Sequence, residues 1–316
     1  MRKELLDLMI QKNSRQSIKV PLNKALVWIL VSVGLISGSA FFGVIYYQHI
    51  KELYGNDDQF RIVAVVQTTP EQESLKTVYL AELMDLSVDR PLNLYRFNGR
   101  DARRKLLASP LIKEARVKRI RPGTVYVDYS LRKPIAFLSD YTNTALDAEG
   151  FAFPFKPFFT PKRLPEIILG VPIGEKSVTN SIWGQQIKSK EMELALGLMQ
   201  HLQKIGGIEA SFVRSIDVSD AFATSLGQRQ IVLVLEEQIE KNLNGKVIFQ
   251  TLPQIVRLNS EHYKQSLANY KILREEIGKQ DDLVDTSVIK KLPTRIIDLR
   301  LPHLGYISSI KIEAVL

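Results

Sequence analysis

The chain has 316 residues, enough for two small folded domains beside a membrane segment. Its 45% apolar and 24% charged residues exclude a disordered chain and a multispan channel. There is no cysteine, which excludes disulfides, thiol catalysis and Cys-ligated zinc, and part of the +9 net charge sits in the first 24 residues, so it is no nucleic-acid footprint.

Residues 25–47 run for 23 positions without a charge, about 35 Å as a helix and enough to cross a hydrocarbon core. Trp28 lies near one end and Tyr46 and Tyr47 at the other, as rings that favour the headgroup layer do. Arg2, Lys3, Lys12, Arg15, Lys19 and Lys24 precede the run and only Lys51 closely follows it, which predicts a cytoplasmic N-terminus. The alternative is a cleaved signal peptide, with Gly38-Ser39-Ala40 as the small residues a peptidase takes. Against it, the apolar run continues for seven residues past Ala40 and the polar leader is long. The predicted organisation is a tail (1–24), a transmembrane helix (25–47), a linker (48–58), a small domain (59–132) and a larger β-domain (133–316).

In the small domain, Phe60 to Val66 reads as a strand. Thr69-Pro70-Glu71-Gln72 predicts a capped helix start, followed by Leu75, Val78, Tyr79, Leu83 and Leu86 at helical spacing. Asn98 predicts the cap of a second helix, which Ser109-Pro110 ends. Two alternating strands follow, around Ala115–Val117 and Val125–Leu131, joined by Arg121-Pro122-Gly123-Thr124, which fits a type II turn. The order strand, helix, helix, strand, strand predicts an α+β layer with helices on one face of a three-stranded sheet.

In the larger domain, short strands are expected at 134–138 and after the turn Asp147-Ala148-Glu149-Gly150. Met192, Leu196, Met199 and Leu202 mark a helix that Gly206-Gly207 stops. Gln230–Glu236 reads as a strong strand, Asn244-Gly245 as a hairpin turn, and Ser260 as the cap of a last helix through Leu267, Tyr270, Leu273 and Ile277. A final β-like segment covers residues 305–315.

Several of these segments carry a resemblance. Pro110-Leu111-Ile112-Lys113-Glu114-Ala115-Arg116-Val117-Lys118-Arg119, Arg121-Pro122-Gly123-Thr124-Val125 and Arg132-Lys133-Pro134 together resemble the POTRA module of the FtsQ/DivIB bacterial cell-division family. Asp147 to Phe153, Leu164 to Gly170 and Ile296-Ile297-Asp298-Leu299-Arg300 also resemble steps of that family's pattern, in its order. The likeness is patchy over 171–212. It implies a non-enzymatic, single-pass scaffold of the inner membrane, with its folded domains in the periplasm at the division septum. It implies partners resembling FtsB and FtsL and a link to septal peptidoglycan synthesis, with no cofactor, nucleic acid or small-molecule substrate. It further implies a partner-binding edge at the C-terminal end of the β-domain, here residues 298–312. The candidate contacts are Asp298, Arg300, Leu301, Tyr306 and Ile307, and strand addition is the expected mode.

Catalytic patterns are not found: there is no H-E-x-x-H, G-x-S-x-G, Walker loop or G-x-G-x-x-G. Ser130–Lys133, Ser287–Lys290 and Ser308–Lys311 have S-x-x-K spacing without the companion motifs of a penicillin-binding enzyme. His49, His201, His262 and His303 lack ligand spacing. Glu236-Glu237 and Asp281-Asp282 are adjacent acids, which point apart on a strand and make poor acid–base pairs. Arg100, Arg103, Arg104 and Lys105 read as a solvated helix face, or as a docking surface for an acidic partner or lipid headgroups. The rival functions are a peptidoglycan-modifying envelope enzyme and a POTRA-type polypeptide export module. Export modules usually carry tandem repeats, which this sequence lacks.

Overall fold

The computed structural model describes residues 21–170, 182–205, 213–243, 246–281, 293–301 and 303–310. They form a mixed α+β protein: a long apolar N-terminal helix, a three-stranded sheet with helices, and a nine-stranded mixed sheet. The chain divides into two compact units. One holds α1 (Leu22–Gly55) and the residues to Val63, with Pro91–Phe97 and Arg121–Gly123; the other holds Ala64–Arg90, Asn98–Ile120 and Thr124 onward.

Within α1, Leu26–Gly55 is long and apolar enough to cross a membrane, which by length and composition fits a single span or a signal sequence. Its serines carry no orphan hydroxyl. Ser32 donates to the Ile29 carbonyl (2.9 Å), Ser37 to that of Val33 (2.7 Å) and Ser39 to that of Ile36 (2.9 Å), as a lipid-facing helix requires. The helix does not stop at Tyr47. It runs through the expected linker to Gly55 because nothing in Gln48–Tyr54 breaks it. Its end is fastened within the first unit. Buried Asn93 donates through Nδ2 to the carbonyls of Tyr54 and Asp57 (2.9 Å each) and accepts from the Tyr95 N–H (2.8 Å).

The small sheet comprises β1 (Ala64–Thr68), β2 (Ile112–Ile120) and β3 (Thr124–Leu131) in the order β1-β3-β2, with β1 parallel and β2 antiparallel to β3. Strand β3 alternates strictly: Val125, Val127, Tyr129 and Leu131 are buried, and the residues between them are half-buried. Helices α2 (Thr77–Leu83) and α3 (Gly99–Ala108) cross between β1 and β2. Asn98 caps α3, its Oδ1 accepting from the N–H groups of Arg100 and Asp101, as expected from the sequence.

Two local expectations fail for identifiable reasons. The capping signal at Thr69 does not open a helix, and α2 begins only at Thr77. Tertiary partners take the polar groups of that segment: Glu71 accepts from the Leu131 N–H (3.3 Å), Glu73 from the Thr160 N–H (3.1 Å), and the Leu75 N–H donates to the Tyr129 hydroxyl (2.8 Å). The β2–β3 connection is not a type II turn. Its Arg121–Pro122 bond is cis, and Gly123 lacks the positive φ that type requires. Glycine is needed there for close approach instead, since a Cβ at Gly123 would collide with the Arg61 carbonyl oxygen.

The large sheet contains β4 (Ala136–Leu138), β5 (Thr144–Leu146), β6 (Ala152–Pro154), β7 (Glu166–Ile168), β8 (Val213–Asp217), β9 (Ile231–Leu243), β10 (Lys246–Leu258), β11 (Thr294–Leu299) and β12 (Tyr306–Ile310). Among the described residues its order is β12-β11-β10-β9-β8-β7-β4-β5-β6. The core joins Ile216, Leu233, Val256 and Ile297 of the strands to Met192, Leu198 and Leu202 of α4 (Lys190–Ile205) and to Leu267 and Tyr270 of α5 (Tyr263–Asp281). Leu243 pairs with Lys246, which leaves a two-residue connection, Asn244-Gly245, outside the described residues. Helix α5 starts at Tyr263 rather than just after Ser260. Asn259 organises the approach, its Oδ1 accepting from the N–H groups of Glu261 (2.8 Å) and His262 (3.1 Å).

The two sheets meet through buried charge. Arg132, one residue past β3, donates to Asp147 at 2.7 Å, with side chains only 12% and 7% exposed. Its guanidinium also lies over the Phe151 ring, 3.9 Å from the centroid. Asp147 Oδ1 accepts from the N–H groups of Glu149 (3.0 Å) and Phe151 (2.9 Å), which builds the turn that Gly150 completes at φ 79°.

Candidate functional site

Strand β12 is the outermost strand at one end of the large sheet. It pairs with β11 from Asp298–Tyr306 to Thr294–Ile310, and among the described residues no strand pairs with its other side. Such an edge offers unpaired backbone N–H and C=O groups to an incoming strand. Its described exposed side chains include Tyr306 (66% exposed) and Ile307 (42%), and the loop before it adds Leu301 (63%) and Leu304 (61%).

Register explains how both residues of the Tyr306-Ile307 step are exposed. Ile307 stands opposite Ile297, whose side chain enters the core, and Tyr306 stands opposite Asp298 on the other face. On that second face Tyr306 overlooks a groove of about 420 Å3, lined by Leu226, Gly227, Arg229, Asp298, Arg300, Leu301 and Leu304 among others.

The charges in the groove are internally matched. Arg300 grips Asp298 through Nε (3.0 and 3.1 Å) and Nη2 (2.7 Å), and its backbone N–H adds a further bond to the same carboxylate (3.1 Å). Burial works to raise the Asp298 pKa. The hydrogen bonds from Arg300, with the positive charges of Arg300 and Arg257, outweigh it and hold the carboxyl below the usual range. The same partnership, through the hydrogen bond to Asp298, raises the Arg300 pKa. Arg300 Nη1 reaches the Gly227 carbonyl (3.3 Å), and Asn259 Nδ2 donates to the Arg300 carbonyl (3.1 Å). Arg229 is tied to the Ala223 carbonyl (2.8 Å) and to Glu261 (3.2 Å). What remains for a ligand is a backbone edge and an apolar rim. This arrangement can take an added strand that sets one apolar side chain into the groove, and it offers no acid–base pair.

The structure therefore brings all five residues singled out in the sequence to one edge, in two roles. Leu301, Tyr306 and Ile307 are exposed, whereas Asp298 and Arg300 serve each other and fix the wall of the groove. Leu226, Gly227 and Arg229 come from the β8–β9 connection and Asn259 from the end of β10; none was singled out. Leu226, 75% exposed and flanked by Ser225 and Gly227, is the apolar one among them. Lys311 and Ile312 of the expected edge lie outside the described residues.

Other sequence candidates are occupied structurally. Glu236 pairs with Arg163 (2.6 Å), while Glu237 pairs with Arg274 and accepts from Gln254 (2.8 Å), so the adjacent acids serve different partners. In the basic run on α3, Arg103 donates to the Ala115 carbonyl (2.8 Å), and Asp101 takes both Arg104 and Lys105. His201 packs edge-on against Tyr263, with 6.2 Å between ring centroids. Of the S-x-x-K strings, Ser130 lies in β3, Ser287 and Lys290 fall outside the described residues, and so does Lys311.

No family model matches the sequence, and no curated protein matches it.

Proposed function

We propose that this chain is a non-enzymatic, single-pass scaffold of the FtsQ/DivIB type, anchored by α1 in the inner membrane with its sheets in the periplasm. At the division septum it captures other single-pass division proteins, resembling FtsB and FtsL, and couples them to septal peptidoglycan synthesis. The observation that carries this reading is the β12 edge: an outer strand whose far side no strand pairs among the described residues, with Tyr306 and Ile307 exposed beside an apolar-rimmed groove. The chain order also supports it. An apolar helix, a strand–helix–helix–strand–strand layer and a large terminal sheet follow one another as in the family that the sequence resembles. Retention of α1 as an anchor, rather than its removal as a signal, is supported by the helix running unbroken past Ala40 to Gly55, where its end is fastened. Tyr54 stacks on Tyr95 at 5.2 Å, and Phe60 sits edge-on to both rings.

In this mechanism a partner segment adds as a strand to β12 and places a side chain in the groove. Backbone bonds supply affinity and the groove supplies selectivity. The test is co-purification of small single-pass division proteins with the full chain and with its Tyr306→Pro variant, alongside circular dichroism to confirm folding. Loss of the partners from a folded variant is expected; undiminished recovery overturns the reading.

A further inference from the structure

The first compact unit ends in a collar around the C-terminal end of α1, formed by the residues from Tyr54 to Val63 with Pro91–Phe97 and Arg121–Gly123. Its internal bonds hold it firmly to the helix. Ile62 N–H donates to the Leu92 carbonyl (2.9 Å), Leu94 N–H to that of Phe60 (2.8 Å) and Val63 N–H to that of Gly123 (2.9 Å). Arg96 lies against Gly55 and donates to Asn56, and the Arg121 guanidinium lies over the Tyr95 ring, 5.6 Å from the centroid. The collar is therefore carried at a set height above whatever α1 is embedded in.

That height can be worked out. Helix α1 continues eight residues past Tyr47, about 12 Å at about 1.5 Å per residue. The headgroup layer adds about 5–8 Å beyond the hydrocarbon on each side. Lys51 then lies within the headgroup layer, and the collar lies just above it, within reach of long basic side chains. The chemistry of the collar suits that position. Among the described residues Lys51, Arg96 and Arg121 have no acidic partner. Of the nearby acids, Asp58 is paired with Arg61 (2.8 Å), Asp57 accepts from its own turn at Gln59 (2.9 Å), and Glu52 is exposed on the helix. Val63 (84% exposed) and Leu92 (37%) add an apolar surface among these cations and aromatic rings. Cations with tyrosines and exposed aliphatics are the composition of a headgroup-facing belt.

We propose that this collar, held by α1 at the height of the headgroups, docks on anionic phosphate headgroups in the outer leaflet of the bilayer that α1 spans. This rests on the reading of α1 as a retained span. The cysteine-free sequence permits single spin labels in the full chain, at Ile36→Cys, Val63→Cys and Leu92→Cys. Each is reconstituted in vesicles of phosphatidylcholine, alone or with phosphatidylglycerol, and its accessibility to oxygen and to a nickel chelate is measured. The Ile36 label should be oxygen-accessible and nickel-protected in both. Labels at 63 and 92 should lose nickel accessibility when the anionic lipid is added, and the docked population should fall about fivefold for each basic residue replaced. The replacements are Arg121→Gln and Lys51→Gln; the second lies on the exposed helix and leaves the bonds of the collar untouched. A nickel-accessible Ile36 label refutes the span itself. A buried Ile36 label, with labels at 63 and 92 equally accessible or equally protected in both vesicles, or unmoved by both replacements, overturns the docking alone.

Discussion

Replacing Asp147 by Asn removes one charge from the junction between the two sheets and little else. The new amide Oδ1 still accepts from the Glu149 and Phe151 N–H groups, so the turn is kept. Arg132 is left as a cation with 12% of its side chain exposed, supported by the Phe151 ring, while its Nε already lacks a partner. Breaking a buried pair by removing one partner costs about 3–5 kcal/mol. Because the ring contact and the slight exposure remain, a value of about 3 kcal/mol is expected, or about 6–12 °C in Tm for a unit of this size. Arg132→Met should cost less, because the Asp147 carboxylate keeps its two backbone donors. The double variant should then be more stable than the sum of the two single losses predicts. The assay is urea and thermal unfolding of the full chain in detergent, followed by circular dichroism. A Tm loss below about 2 °C for Asp147→Asn, with additive single variants, would refute the argument that this pair is buried and coupled.

Further expectations follow from other parts of the molecule. Covering the exposed part of Tyr306 removes about 100–160 Å2 from water, worth about 2–4 kcal/mol, so Tyr306→Ala should weaken partner binding about 30–700-fold by calorimetry, with Tm unchanged. Asp298 has a folded-state pKa below its unfolded value. Its contribution is therefore present above about pH 4 and lost as pH falls below that, and the stability gap to Asp298→Asn should close in acid unfolding curves. Gly123→Ala forces a Cβ against the Arg61 carbonyl and should cost about 1–3 kcal/mol by urea unfolding. Asn93→Ala removes three hydrogen bonds of a buried side chain, and hydrogen exchange should rise at Asp57 and Tyr95 while Ile216 stays protected.

Features set by neighbouring residues in the chain were the readable ones. Asn98 before a helical pattern, Ser109-Pro110 after it and the alternation of Val125 to Leu131 each specify their structure locally. The helix expected at Thr69 failed because Glu71 and Glu73 bond residues 60 or more positions away, which no local pattern records. Strand β9 was legible through Glu236. Its continuation past Glu236 and Glu237 is polar and is held by cross-strand pairing with β10. The polar stretch Gln48–Tyr54 reads as a linker, yet it stays helical because no breaker precedes Gly55 and Asn93 ties the end down. At the candidate site, the residues of the edge were visible in the Asp298–Arg300 step and the aliphatics after it. The groove was not, since its far wall comes from the β8–β9 connection and depends on the strand order.

The most direct test of the scaffold account is in-cell crosslinking. Photo-reactive residues replace Tyr306, Ile307, Ser308, Ser309 and Ile310 one at a time, with exposed Arg104 and Lys188 as controls. Adducts with small single-pass division proteins that alternate along β12 and are missing at both controls are the predicted result. Adducts confined to the controls, or none at any position of β12, would contradict the claim that this edge captures a partner strand.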